Sequence, residues 1–360
     1  MRVAVVGAGA VGCMLGARLA ERGHQVTLIG RADQVDAIRA RGLRVEDARG
    51  ARQYQLPALC ALEDRPELVL LTVKTQDLGA ACRTLLPVAQ DVPVVALQNG
   101  VRADHLAAEV LGRANVIGGV LMCAATYLAP GSITIQFPGW AVVGEPFGPP
   151  RARTAEVARL LGDALPTYTT RHLTRVRWSK LIANLNNALC AATGLSAGEI
   201  GLSSAGRLAS LHGMREGYRV IRTAGIALDH GLYGLAPRAI RSHPDVALIA
   251  FLQAGMTPML AMLPEWPALG ILAAASHSRL QRLPIRFSTY QSIARDRPTE
   301  IDYLNGEIVR LGARLRIPTP YNAHLVSLVR QVEQSGDFFP VEALLPDGTH
   351  PAPFGLGVST

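Results

Sequence analysis

Arg2-Val3-Ala4-Val5-Val6-Gly7-Ala8-Gly9-Ala10-Val11-Gly12 decides the fold of this chain. A short, mostly apolar run opens directly into glycines spaced G-x-G-x-x-G, and Cys13–Arg22 follows with helical spacing. Strand, glycine loop and helix in that order are what a dinucleotide fold requires. Gly7 permits the tight turn, Gly9 lets the backbone approach a pyrophosphate, and Gly12 lets helix and strand pack closely. The glycine pattern alone is weak evidence; its place behind a strand and ahead of a helix gives it weight. Gly7, Ala8, Gly9, Ala10, Val11 and Gly12 are therefore candidate cofactor ligands, at a helix N-terminus suited to phosphate. The same glycines interrupt a run that otherwise looks like a secretion signal.

Working outward, Gln25–Ile29 reads as a second strand, and it ends at Gly30-Arg31-Ala32-Asp33. An NAD site usually offers an acid there, whereas an arginine suits a 2′-phosphate, so Arg31 favours NADP(H). Leu68–Val73 is a continuous apolar strand of the kind a two-sided parallel sheet buries, and Lys74 follows it. Pro93–Leu97 is another, ending at Gln98-Asn99-Gly100. Ligands of open α/β sheets bind at the carboxyl ends of strands, which puts Lys74 and Asn99 at the cofactor cleft. Asn115–Val120 continues the sheet. Ala124–Tyr127, Ser132–Gln136 and Ala141–Val143, broken at Pro130-Gly131 and Pro138-Gly139, read as antiparallel strands closing it. Residues 152–165 read as helix and 167–170 as a short strand, so residues 1–170 form a Rossmann-type dinucleotide-binding domain.

From Leu173 nearly every segment has helical periodicity, which makes 171–335 an all-α domain and 336–360, rich in Pro and Gly, a loose tail. The first helix of that domain carries Arg177-Trp178-Ser179-Lys180-Leu181-Ile182-Ala183-Asn184-Leu185-Asn186-Asn187. On one continuous helix Lys180, Asn184 and Asn187, at i, i+4 and i+7, share a face. Of 36 basic residues only Lys74 and Lys180 are lysine. Arginine holds its proton near neutral pH and a desolvated lysine releases it, so the two lysines are the places to look for chemistry. Ser203–His230 reads as a long helix with Glu216 inside it, and prolines between 237 and 285 suggest shorter helices. Further on, Thr299 reads as the N-cap of a helix with Asp302 completing a capping-box-like pair and Glu300 in the first turn. An acid there would complement the helix dipole, and Ser288 would serve as a cap.

The chain has 360 residues, 49% hydrophobic and 18% charged, enough for two domains with real cores. A net charge of +8 invites a nucleic-acid reading, but the arginines are scattered and aromatics are only 5%, so no basic groove with stacking residues emerges. The five cysteines form no Cys-x-x-Cys pair, which points away from zinc and disulfides and toward a reducing cytoplasm. The apolar stretch 246–263 contains Gln253, Thr257 and Pro258 and reads as a buried helix rather than a membrane span.

In order along the chain, GAGAVG at 7–12, Val73-Lys74-Thr75, Leu97-Gln98-Asn99-Gly100, Trp178-x-Lys180-Leu181-x-x-Asn184, and Ser288 followed by Thr299-Glu300-Ile301-Asp302-Tyr303-x-Asn305-Gly306 resemble the ketopantoate reductases. These 2-dehydropantoate 2-reductases belong to the 6-phosphogluconate-dehydrogenase-like superfamily, and the resemblance spans roughly residues 1–330. It implies NADPH-dependent reduction of a 2-keto acid, 2-dehydropantoate, to the 2-hydroxy acid pantoate on the way to coenzyme A. It implies Lys180 as general acid, with Glu300 beside the substrate hydroxyl and the cofactor. Asn99, Asn184 and Ser288 would hold the substrate, Lys74 and Asn99 would line the nicotinamide cleft, and Arg31 would hold the 2′-phosphate. A cytoplasmic homodimer is also implied. Hydride arriving at a ketone carbon leaves negative charge on oxygen; an ammonium stabilises it and supplies the proton, and arginine could do only the first.

Two departures bear on substrate. Many members have an asparagine eight residues after the lysine, where this chain has Ala188, with Asn187 one position earlier as the candidate replacement. The region 230–285 is also longer than the resemblance leads one to expect. A dehydrogenase of the superfamily acting on another hydroxy acid, polyol or imine, and a non-catalytic NADP(H)-binding regulator, are the competing readings.

Overall fold

The computed structural model describes residues 1–228, 256–276 and 287–346. Internal contacts divide the described residues into two compact units, the first holding Met1–Leu181 and the second holding Ile182–Ala227 and the described residues from 256 to 346.

The first unit is built on ten strands: β1 (Arg2–Val6), β2 (Gln25–Ile29), β3 (Leu43–Asp47), β4 (Gly50–Tyr54), β5 (Ala58–Leu59), β6 (Leu68–Leu71), β7 (Val94–Ala96), β8 (Val116–Ala129), β9 (Ser132–Gly144) and β10 (Thr167–Thr169). They form one sheet in the order β4-β3-β9-β8-β7-β6-β1-β2-β5, with β10 pairing β9. β1 lies between β2 and β6, parallel to both, so the loop after β1 emerges at the middle of the sheet. Alternation along β1 feeds two cores. Val3 and Val5 join the core that includes Met14 and Leu15 of α1 (Ala10–Glu21) and Leu161 of α5 (Ala152–Ala164). Ala4 and Val6 join the one that includes Leu78 and Cys82 of α3 (Leu78–Leu85) and Ala103 and Ala107 of α4 (Ala103–Leu111). A strand buried on both faces must be apolar throughout, as β6 is (LVLL).

The expected run of short strands after residue 115 is instead one long hairpin. The turn falls at Pro130-Gly131 as expected, but Pro138-Gly139 does not break β9. Gly139 takes φ +66° in an irregular register, where a Cβ would sit 1.6 Å from the Met122 carbonyl oxygen, so the strand continues through a bulge. The polar hairpin β3–β4 and the two-residue β5 have too little apolar alternation to stand out in the sequence.

The second unit is helical. α6 (Leu173–Asn184) carries the division between units, at Leu181/Ile182. It does not run on to Asn187: Leu185-Asn186 form a turn and α7 (Asn187–Thr193) begins anew. The Asn305 amide donates to the Leu185 carbonyl (3.1 Å), and Leu189 N–H turns to Asn186 O (3.2 Å) instead. Lys180, Asn184 and Asn187 therefore do not share one helical face. The long helix expected at 203–230 is α9 (Ser204–Thr223), preceded by the short α8 (Ala197–Leu202). Later helices span Met256–Met262, Glu265–Ser276, Ser288–Ile293, Asn305–Leu315 and Pro320–Ser335. Of 230–285 only 256–276 is described, and 246–263 falls largely outside the described residues. No described helix is long and apolar enough to cross a membrane. The run after Gly336, expected as a loose tail, is docked as far as Pro346: Phe339 N–H donates to Ala192 O (2.9 Å), and Leu344 is wholly buried.

One buried carboxylate organises this unit. Glu216 of α9 accepts from the N–H groups of Tyr321 and Asn322, both at 2.9 Å, at the start of the helix Pro320–Ser335. The Asn322 amide adds a third bond to it (2.8 Å) and reaches Gly213 O (3.0 Å), while Asn305 donates to Asn322 Oδ1 (3.0 Å). A side chain 4% exposed thus does the work of an N-cap from another helix. Glu216→Ala, which leaves those donors unpaired, should lower unfolding free energy by about 3 kcal/mol. Glu216→Gln, which keeps one acceptor, should cost about half of that. Denaturant titration of the three proteins measures both.

Candidate active site

Gly7 takes φ +114°, and its N–H and that of Ala8 donate to Ile29 O at 2.8 and 3.0 Å. A Cβ on Gly7 would stand 2.5 Å from Val73 N, and one on Gly12 2.1 Å from Gly7 O, so backbone crowding requires both glycines. A Cβ on Gly9 would meet nothing within 4 Å. The crowded glycines shape the loop and Gly9 leaves open space before the N-terminus of α1, whose first turn has no acidic residue. Thr72 Oγ1 donates to Gly7 O (2.8 Å) and ties the loop to the end of β6. This arrangement fits a pyrophosphate. Arg31 is the N-cap residue of α2 (Ala32–Arg41); its side chain is exposed, and among the described residues only a long 3.8 Å contact to Asp33 engages it.

Lys74 precedes a single 3₁₀ turn, Thr75–Asp77, at the end of β6. The Gln98 amide reaches across from the end of β7 to Leu71 O (3.0 Å) and Val73 O (3.2 Å), and Thr75 Oγ1 donates to Asn99 O (3.3 Å). These bonds join the strand ends that carry Lys74 and Asn99.

Arg177 fixes α6 to the same place. Its Nε and Nη2 bind both oxygens of Asp104 at 2.6 and 2.5 Å. Nη2 also donates to Ala96 O (3.0 Å), and Nη1 to Gln98 O (3.0 Å) and Gly100 O (3.4 Å), so all five guanidinium protons have acceptors. The acceptors bracket Asn99. Gly118 of β8 makes the space, since a Cβ there would meet Leu173 Cδ2 at 2.2 Å and Asp104 Oδ1 at 2.7 Å. One turn beyond Arg177, half-buried Lys180 donates from Nζ to the Leu121 carbonyl of β8. Burial raises the pKa of the neighbouring Cys123 thiol against the opposing pull of Lys180 and Arg18.

The other candidates belong to the second unit. Asn184 is the last residue of α6 and Asn187 the first of α7. Ser288 opens the helix Ser288–Ile293, which packs on α7. Glu300, 4% exposed, precedes a 3₁₀ turn at Ile301–Tyr303 rather than lying within a helix. The capping box does not form. Thr299 Oγ1 accepts from Ile301 N (3.2 Å), while Asp302 makes an exposed ion pair with Arg330 (2.6 Å). Among the described residues the side chains of Asn99, Asn184, Asn187 and Ser288 hydrogen-bond to nothing, whereas Asn186 between them is engaged by Ser210 (3.1 Å) and Met214. Ala188 is wholly buried in the core with Leu189 and Val329.

The family model described as ketopantoate reductase PanE/ApbA matches residues 3–147, and its C-terminal counterpart matches 172–333. The chain belongs to the ketopantoate reductase family. A crystal structure of a PanE/ApbA family ketopantoate reductase from Ralstonia eutropha JMP134 is similar with 32% identity and a TM-score of 0.73, over 93% of this chain and 99% of that one. The 2-dehydropantoate 2-reductase of Pyrococcus horikoshii is 26% identical over 341 residues, 93% of this chain and 99% of its own. D-mandelate dehydrogenase, in a ternary structure with NADH and anilino(oxo)acetate, shares the fold at 24% identity and a TM-score of 0.76, over 93% and 99% of the two chains. As a ketopantoate reductase family member the chain is an oxidoreductase with a nicotinamide cofactor, and the family uses NADPH.

Arg177 and Asp104 are the residues that motif reading passes over. An arginine beside a tryptophan gives no local sign of an acid 73 positions upstream. Swapping a buried ion pair for apolar residues is often neutral, but removing one member strands a charge. Arg177→Lys keeps the charge and loses the fork, and should destabilise the protein by about 3 kcal/mol. Asp104→Asn should cost a similar amount, and the double variant less than the sum, a coupling measurable by denaturant unfolding of the four-protein cycle.

Proposed function

We propose that this chain reduces 2-dehydropantoate to pantoate with NADPH, and that Lys180 is the general acid. The observation that carries this reading is one of two lysines in an arginine-rich chain, set on a helix that Arg177 locks to the strand-end loop of Asn99. The four unengaged side chains of Asn99, Asn184, Asn187 and Ser288 support it. They offer neutral donors and acceptors for a carboxylate and hydroxyls without adding a charge that would shift the lysine.

Gly7–Gly12 would hold NADPH by its pyrophosphate and Arg31 by its 2′-phosphate, and the cofactor would supply the hydride. With hydride addition at the ketone carbon, the carbonyl π pair moves onto oxygen. Lys180 Nζ stabilises the growing charge and gives up a proton to it, forming the hydroxyl and leaving a neutral amine for water to reprotonate. The Leu121 carbonyl orients the ammonium beforehand. Glu300 accepts from the substrate hydroxyl and keeps it aligned. Asn187 takes the role that Ala188 leaves open, since Ala188 is confined to the core. A regulator that only sensed NADP(H) would need no proton donor beside a hydride-transfer point.

NADPH absorbance with a panel of 2-keto acids tests this. The expected result is turnover of 2-dehydropantoate with kcat/KM at least about tenfold above that of an aryl 2-keto acid. Turnover of only the aryl compound would replace the substrate, and no turnover of any 2-keto acid would remove the reaction. Arg31→Ala should weaken NADPH binding by about tenfold and leave NADH binding unchanged. Equal loss of both would make Arg31 structural.

A further inference from the structure

In the second unit a cavity of about 830 Å³ lies along α9, and none of the residues assigned to the reduction lines it. Its volume is that of a metabolite site. His212, Arg215, Arg219 and Arg222 follow at i, i+3, i+7 and i+10 on α9 and all line the cavity, with the start of the helix Pro320–Ser335 opposite. Two acids border the cavity. Glu216 accepts from Tyr321 and Asn322, and Glu265 pairs with His212 (2.9 Å) and Arg215 (3.7 Å). Among the described residues Arg219 and Arg222 are left with no carboxylate partner.

The arginines are arranged in depth. Arg215 is held by the Leu263 carbonyl (2.5 Å), and its Nε is buried with no partner among the described residues. Among the described residues Arg219 makes one side-chain bond, to Pro318 O (2.9 Å), which uses one of its five guanidinium donors. The Arg222 guanidinium has no partner among the described residues. His212 stacks on Tyr321, with ring centroids 4.6 Å apart and planes 9° apart, and gives the cavity a flat aromatic wall. Burial lowers the pKa of His212 against the opposing pull of Glu265. Converging forks with spare donors in a concave site match an anion with several oxygens.

We infer that this cavity binds a small polyanion, a metabolite bearing phosphate groups or several carboxylates, with Arg219 and Arg222 as its main contacts and Arg215 deeper. The site is separate from the glycine-loop cofactor site, and its existence does not depend on which keto acid is reduced.

The test uses the full chain saturated with NADP⁺, so that the glycine loop is filled, and titrates inorganic pyrophosphate and citrate calorimetrically at constant ionic strength. The expected result is one-to-one binding of at least one probe, weakened about tenfold or more in Arg219→Ala/Arg222→Ala. Both side chains are solvent-exposed, so that variant should melt as the wild type does. Binding of pyrophosphate alone would identify phosphate as the ligand chemistry, and of citrate alone, carboxylate. Failure of both probes to bind, or equal binding by wild type and variant, would overturn the proposal.

Discussion

The guanidinium of Arg177 is the constraint on which the candidate site depends. Burying a cation is costly unless each of its protons finds an acceptor, and here Asp104 and the carbonyls of Ala96, Gln98 and Gly100 provide them all. Those carbonyls lie where β7 ends and the loop with Asn99 begins. Satisfying the charge therefore dictates where α6 sits against the sheet and, one turn on, where Lys180 sits. The fixed fork of arginine is the reason: a lysine could not bind both carboxylate oxygens and three carbonyls at once.

In the proposed mechanism the other cation stands where a proton has to move: Lys180, three residues from Arg177 on the same helix, would release its proton while Arg177 holds the frame. In the second unit an anion plays the positioning role. Glu216 caps the helix Pro320–Ser335 from within α9, and through Asn322 and Asn305 it reaches the Leu185 carbonyl, where α6 gives way to α7. Each unit thus has a buried ionic group that no surface substitution would reveal, and each holds an element that carries candidate site residues.

Much of this was legible in the sequence, for physical reasons. The glycine loop was readable because crowding between Gly7, Gly12 and the ends of β1 and β6 excludes any side chain there. The parallel strands were readable because burial on both faces demands unbroken apolar runs, and the lysines because composition isolates them. What escaped depended on partners distant in sequence. The turn after Asn184 has no helix-breaking residue in it and coincides with a bond to the Leu185 carbonyl from Asn305, 120 positions away. Thr299 and Asp302 have capping-box spacing, yet Arg330 claims the acid. The segment after Gly336 has a tail's composition but finds a backbone partner in Ala192 and a core for Leu344. Nor does the resemblance at Ala188 carry over position by position, because the turn at Leu185-Asn186 separates the two asparagines that flank it.

The central claim is that Lys180 delivers the proton while Arg177 only holds the frame. Single-turnover reduction of 2-dehydropantoate by enzyme pre-loaded with NADPH, compared between wild type and Lys180→Arg, tests it most directly. The substitution keeps the positive charge and removes the transferable proton. The rate should fall by about a hundredfold or more with NADPH affinity unchanged, whereas a rate near that of the wild type would contradict the assignment.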